Sequence, residues 1–167
     1  GYVFIMIEME LVGVRVEFPG PAPIVLLRES NDRGLVLPIF IGNAEANAID
    51  IFLRNDKPPR PMTHDLFVTA LEETNTKVER VVVTEISEKT FFAEIHFKTP
   101  EGIKTVSSRP SDAIALAVRM SSPIYAEEAV LNSAGHKIRE ENEEKEEDVL
   151  AEFRDFLDDV SPEDFSS

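Results

Sequence analysis

The sequence predicts an α+β domain. Two three-strand-plus-helix units share a mostly antiparallel sheet, and an acidic helical tail follows. Three observations carry that expectation. Short apolar and β-branched runs, broken by Gly, Pro and Asn-Asp turns, open each half of the body. Each half then changes to apolar residues at helical spacing. The two halves also align at an offset of 67 residues, which carries Gly42 onto Arg109, Glu45 onto Asp112 and Ile49 onto Leu116. Strands joined by short turns favour antiparallel pairing over a doubly wound parallel sheet.

In the first half, Leu11–Glu17 alternates loosely, Pro19-Gly20-Pro21 interrupts it, and Ile24–Leu27 is a second apolar run. Asn31-Asp32-Arg33-Gly34 supplies a turn and Leu35–Ile41 a third strand. Gly42 opens a helix whose apolar face holds Ala44, Ala48, Ile49, Phe52 and Leu53. Lys57-Pro58-Pro59-Arg60-Pro61 must be an extended connector, because Pro lacks the helical donor and pushes its predecessor out of the α region. Thr63 or Asp65 is expected to cap a second helix through Leu66, Phe67, Ala70 and Leu71.

The second half repeats the plan. Val78–Ile86, Phe91–Phe97 and Ile103–Ser107 read as strands, with one of Phe91 and Phe92 forced onto the opposite face of its strand from the other. A helix starts near Pro110 or Ser111, with Ser as the expected cap. Pro123-Ile124-Tyr125 is a short extended piece, and Glu127–Asn132 is a final helical turn or two stopped by Gly135.

Composition sets the organisation. A hydrophobic fraction of 43% supports a real core, and the absence of Cys excludes disulfides and thiolate metal sites. No apolar run reaches the roughly 18 residues of a membrane span. The opening residues lack the basic region and cleavage site of a signal peptide, so a cytoplasmic protein is expected. The net charge is −15, but residues 138–167 hold thirteen of the 32 acidic and three of the 17 basic side chains, so they account for −10 of it. The chain divides into a body at 1–137, an acidic linker at 138–148 and a tail at 149–167. In the tail, Val149, Phe153, Phe156, Leu157 and Val160 form one apolar stripe on an acidic helix. An isolated helix of that length is marginal in water, so the stripe should dock on the body, a second subunit or a partner protein.

Four stretches carry a resemblance to a known family. They are Leu37–Gly42 with Glu45-Ala46, Pro59–Leu66, Ser108–Arg119, and Pro123–Tyr125 with Glu128–Leu131. Their order and spacing resemble the bifunctional nuclease domain family over residues 4–137. The resemblance implies an α+β domain acting on both DNA and RNA. One departure is visible: the family often has an acidic residue two positions before its Arg-Pro-Ser-Asp run, and here that position is Ser107.

Phosphodiester hydrolysis needs an activated water, neutralisation of phosphate charge and a stabilised leaving oxygen. Carboxylates holding Mg²⁺ or Mn²⁺ can supply these, and so can a His base with an Arg or Lys clamp. His64 is a candidate general base or phosphate donor and Asp65 a candidate metal ligand; the alternative makes His64 a polar loop residue and Asp65 or Thr63 a helix cap. Asp112 and Glu45 fall in the first turns of equivalent helices, where they could share a metal. Acids there also simply favour the helix dipole. Arg109 precedes a helix N-terminus, a natural anion site, or else ion-pairs with Asp112. Arg60 and Arg119 are candidate substrate contacts, and Arg119 also suits a helix C-terminus. The expectation is a broad-specificity, metal-assisted nuclease that self-associates, with no membrane role. The rival is a non-catalytic module that binds an anion or partner protein, with the acidic tail as its interaction element or as a lid.

Overall fold

The computed structural model describes residues 4–16 and 22–137. In chain order they form β1 (Met6–Arg15), β2 (Ile24–Glu29), β3 (Val36–Phe40), α1 (Asn43–Leu53) and α2 (Thr63–Glu73). There follow β4 (Lys77–Ser87), β5 (Thr90–Thr99), β6 (Gly102–Ser108), α3 (Pro110–Met120), β7 (Ile124–Glu127) and α4 (Glu128–Ala134). The predicted linker 138–148 and tail helix 149–167 lie outside the described residues.

The strands make one sheet in the order β3-β2-β1-β7-β4-β5-β6. Every pairing is antiparallel except β4 with β7. The order is symmetric about β7. Because β1 runs against β7 and β4 runs with it, β1 and β4 run in opposite directions. A local two-fold axis normal to the sheet has this property. The repeat offset of 67 residues carries α1 onto α3 end to end, Asn43 onto Pro110 and Leu53 onto Met120.

Helices α1, α3 and α4 share a core with one face of the sheet, centred on Leu27, Leu37, Ile49, Ile114, Leu116 and Leu131, all at most 1% exposed. At about 25 cal/mol per Å² of apolar surface removed from water, such side chains dominate the stability. α3 is the most deeply placed helix: seven of its eleven residues are buried, against three in α1 and none in α2. Its Ala113, Ala115 and Ala117 let it approach the sheet and α1 closely. A smaller cluster of Ile24, Leu26, Val36 and Phe40 lies apart from the main core. No helix among the described residues is long and apolar enough to cross a membrane.

Several elements differ from the sequence expectation. β1 begins at Met6 rather than Leu11. Its first residues are largely exposed, so burial left no strong alternation there. Gly13, at φ +152°, shifts the register against β2. Ile124–Glu127 is no peripheral piece but the strand at the centre of the sheet. Neither Thr63 nor Asp65 caps α2: Met62 holds that position, and the Asp65 carboxylate accepts the Met62 amide at 3.0 Å. Ser111 does not cap α3. It is buried inside the first turn, behind Arg109 as the capping residue. Phe91 packs on the main core, whereas Phe92 is 43% exposed.

Candidate active site

The first turns of α1 and α3, the start of α2, and the ends of β5 and β6 enclose a half-open cleft of about 690 Å³. Each functional side chain arrives there for a local reason. Pro110 fixes the first helical φ of α3, leaving Arg109 extended just outside the helix and Asp112 in its first turn. The Pro58–Pro61 connector cannot fold into a helix, so it carries the chain across to Met62 and presents His64 in the first turn of α2. Gly42 leaves room for the Glu45 carboxylate to fold back; a methyl group at Gly42 would collide with Glu45 Oε2.

Asp112 is the hub. Its Oδ1 accepts a hydrogen bond from His64 Nε2 at 2.9 Å, across 48 residues of sequence. Its Oδ2 accepts from both Nε and Nη2 of Arg109 at 2.8 Å. The third arm of the same guanidinium, Nη1, reaches Glu45 Oε1 at 2.7 Å. One Arg thus joins the two acids that the repeat makes equivalent. His64 and Glu45 are mostly shielded, with side chains 14% and 16% exposed, while Arg109 is 40% exposed and open to a ligand. The bond from His64 holds the Asp112 carboxyl below its ordinary 3.8, with Arg109 adding to that and burial opposing it. Asp112 is therefore an anion at neutral pH and a strong orienting partner for the imidazole.

Asp65 and Arg119 form a second pair beside the cleft. Arg119 Nε donates to Asp65 Oδ1 at 2.8 Å, Nη1 to the Ala115 carbonyl at 3.0 Å, and Nη2 to the Ala48 carbonyl at 2.9 Å. Its guanidinium lies 5.6 Å from the Phe52 ring centre, a cation–π distance. The Arg119 side chain is 5% exposed, so it ties α3 to α1 and to the first turn of α2 instead of facing solvent. Its bond holds the Asp65 carboxyl below the ordinary value.

The structure therefore brings His64, Asp112, Arg109 and Glu45 into one cleft and places Asp65 and Arg119 in the frame behind it. Arg60 is exposed on the connector, lining a shallow hollow with Pro58–Met62 and not the cleft. Ser107, where the family often has an acid, lines the cleft. As arranged, the donors do not fit a shared divalent ion. Arg109 stands between the two acids, both Asp112 oxygens already accept hydrogen bonds, and no metal-binding group of three or more acids or imidazoles forms among the described residues.

The apolar wall of the cleft was not legible in the sequence. Phe67 of α2 and Met62, which caps it, line the cleft together with Phe97 of β5 and Val106 of β6. Adjacent Leu66 and Phe67 cannot both point inward on one helix, and both stay exposed.

The domain profile "Bifunctional nuclease domain" matches residues 25–139, a span that includes all four sequence stretches and the whole cleft. The chain belongs to the bifunctional nuclease domain family. It is similar to an uncharacterized protein of Mycobacterium tuberculosis, 44% identical over 166 residues, covering 96% of this chain and 98% of that protein. It is also similar to Bifunctional nuclease 1 of Arabidopsis thaliana, 28% identical over 123 residues, 72% of this chain and 38% of that one. Bifunctional nuclease 1 of Oryza sativa subsp. japonica is 25% identical over 128 residues, 75% of this chain and 39% of that one. The shared part of the plant proteins is thus well under half their length. In this bifunctional nuclease domain, the Arg109-Pro110-Ser111-Asp112 segment is where the cleft, the capping Arg and the hub carboxylate coincide.

Proposed function

We propose that this protein is a nuclease that hydrolyses phosphodiester bonds in DNA and RNA at the His64–Asp112–Arg109 cleft. The observation that carries the proposal is the His64–Asp112 bond next to a half-exposed guanidinium. Asp112 fixes the imidazole by accepting from Nε2, which leaves Nδ1 with the lone pair needed to take a proton from water. Arg109 has five N–H donors, of which three are spent on Glu45 and Asp112. The remaining two can hold a phosphate oxygen as charge builds on it. Glu45 keeps the guanidinium aimed, and the Arg119–Asp65 pair holds the first turn of α2, and with it His64, against α3.

No step in this reading runs through a metal. The metal-assisted form, with Glu45 and Asp112 sharing Mg²⁺ or Mn²⁺, requires Arg109 to leave both acids. The deciding experiment is hydrolysis of labelled DNA and RNA by protein freed of contaminating nuclease, with EDTA and with Mg²⁺ or Mn²⁺ added. Turnover that persists in EDTA and collapses in His64→Ala supports the proposal. Intact substrate under every condition refutes it. Turnover only with added metal, undiminished in His64→Ala, transfers the chemistry to the metal-assisted form.

A second reading, a non-catalytic anion-binding module, draws on one observation: both acids of the cleft are already paired with Arg109. Binding of nucleotide without turnover would establish it. We also propose that the protein is cytoplasmic, a compartment its lack of Cys suits, and that it self-associates, because Phe4, Ile5 and Met6 are exposed at the start of β1 and the edge strand β6 exposes Ile103. Cell fractionation and light scattering test these.

A further inference from the structure

We infer that the cleft admits one unpaired nucleotide, so that the substrate class is single strands, loops and frayed ends instead of intact duplex. The inference rests on the nuclease reading for its chemistry, but on the shape and lining of the cleft for its content.

The cleft lining is of two kinds. One is the His64, Arg109, Asp112 and Glu45 groups already described. The other is apolar, with Phe67 and Met62 from α2 and its cap and Phe97 and Val106 from β5 and β6 on the same cleft. Phe67 is 43%, Met62 47% and Val106 47% exposed. Leaving three large apolar side chains in water around one charged group is unfavourable unless something covers them. A nucleotide matches that pattern: a planar, weakly hydrated base for the apolar walls and an anionic phosphate for the guanidinium. Asn47, also on the lining, offers an amide that can both donate to and accept from a base edge.

Size decides between paired and unpaired strands. A volume of about 690 Å³ lies within the roughly 300–1,000 Å³ of small-molecule sites. A base still stacked and paired in a helix cannot enter a space of that scale without being drawn out of the stack. Residues 1–137 carry 19 acidic against 14 basic side chains, a net of −5, a balance that disfavours a grip on a duplex backbone over many phosphates. Arg54, three residues before the connector, is itself paired with Asp50 at 2.9 Å and Asp56 at 3.4 Å, which lowers its pull on a backbone phosphate. Stacking on aromatic and apolar walls, with one or two phosphate contacts, is the recognition mode of single-strand binders.

The test uses the full chain and two fluorescently labelled probes, a short single strand and a loop-free blunt duplex closed by G·C pairs at both ends. Binding is read by anisotropy and cleavage is followed in parallel. The single strand should bind at least about tenfold more tightly, and Phe67→Ala and Val106→Ala should each weaken it by about tenfold. Both side chains are half exposed, and thermal melts check that the variants fold. Competition by inorganic phosphate, which would engage the Arg109 guanidinium and not the apolar side chains, should survive both substitutions. Equal affinity for the two probes, or wild-type affinity in both variants, would overturn the inference while leaving the nuclease reading intact. Wall-dependent binding of the single strand with no cleavage would do the reverse.

Discussion

Glu45 and Asp112 occupy the same position in two repeated helices, and a single guanidinium, that of Arg109, joins them. The repeat explains the symmetry of the acids but not of the base. The position equivalent to Arg109 is Gly42, so only one half supplies the cation. Gly42 in turn makes room for Glu45. His64 likewise falls on Leu131 at the same offset, so an asymmetric, charged cleft sits on a symmetric frame.

Removing the hub should separate catalysis from folding. Asp112→Asn and His64→Ala are each expected to lower hydrolysis by about 100-fold or more, the usual contribution of a positioned base. Their double variant should lose little more than either alone, because the two act as a unit. Steady-state rates alongside urea midpoints decide this; additive losses would argue against a shared role.

Arg109→Ala should cost about 10²–10³ in kcat/KM, the scale of losing an electrostatic donor. Arg109→Lys should recover only part of it, since one ammonium cannot span both acids in the fork geometry. Gly42→Ala should give a milder defect by displacing the Glu45 carboxylate. Activity in Arg109→Lys equal to wild type would count against the bidentate clamp.

The frame behind the cleft should show up in stability. Arg119→Ala strips three hydrogen bonds from a nearly buried guanidinium and frees two backbone carbonyls. A loss of about 2–4 kcal/mol is expected from leaving such partners unsatisfied. Asp65→Asn, on a more exposed acid, should cost less. Denaturant titration of both singles and the double variant yields the coupling between them.

Stability should fall in acid. Asp65, Asp112 and Glu29 all have carboxyl values lowered in the fold, by Arg119, His64 and Arg33 respectively. A lowered folded value means the contribution is fully present above the unfolded value, 3.8 for Asp and 4.5 for Glu, and is lost as pH falls through the folded value. Urea midpoints should thus hold from neutral pH down to about 5 and drop steeply below about 4.

Glu127 works in the opposite sense. Burial raises its carboxyl value, with Glu94 and Glu85 adding repulsion. The folded state then disfavours its charged form, so Glu127→Gln should raise the melting temperature at neutral pH. That gain should shrink as pH falls through the raised value, where wild-type Glu127 takes up its proton. An unchanged melting temperature at pH 7 would remove this residue from the electrostatic account.

The sequence by itself determined the fold class, the antiparallel preference and the repeat. Each follows from local rules: period-two and helical spacing, Pro and Gly at turns, and matched positions 67 residues apart. It also singled out His64, Arg109, Asp112 and Glu45 as candidates, because those residue types stand at helix starts. Only the tertiary structure decided which of them meet. The His64–Asp112 contact spans 48 residues, and the Arg119–Asp65 contact spans 54, so neither leaves a periodic trace. The same holds for β7, whose four residues are too few to announce a central strand, and for Phe67, which the sequence placed on the second helix without showing that it lines the cleft. Short-range patterns record which face of an element is buried. They do not record which distant element covers it, and the cleft, with its charged and apolar lining, is closed by such distant neighbours.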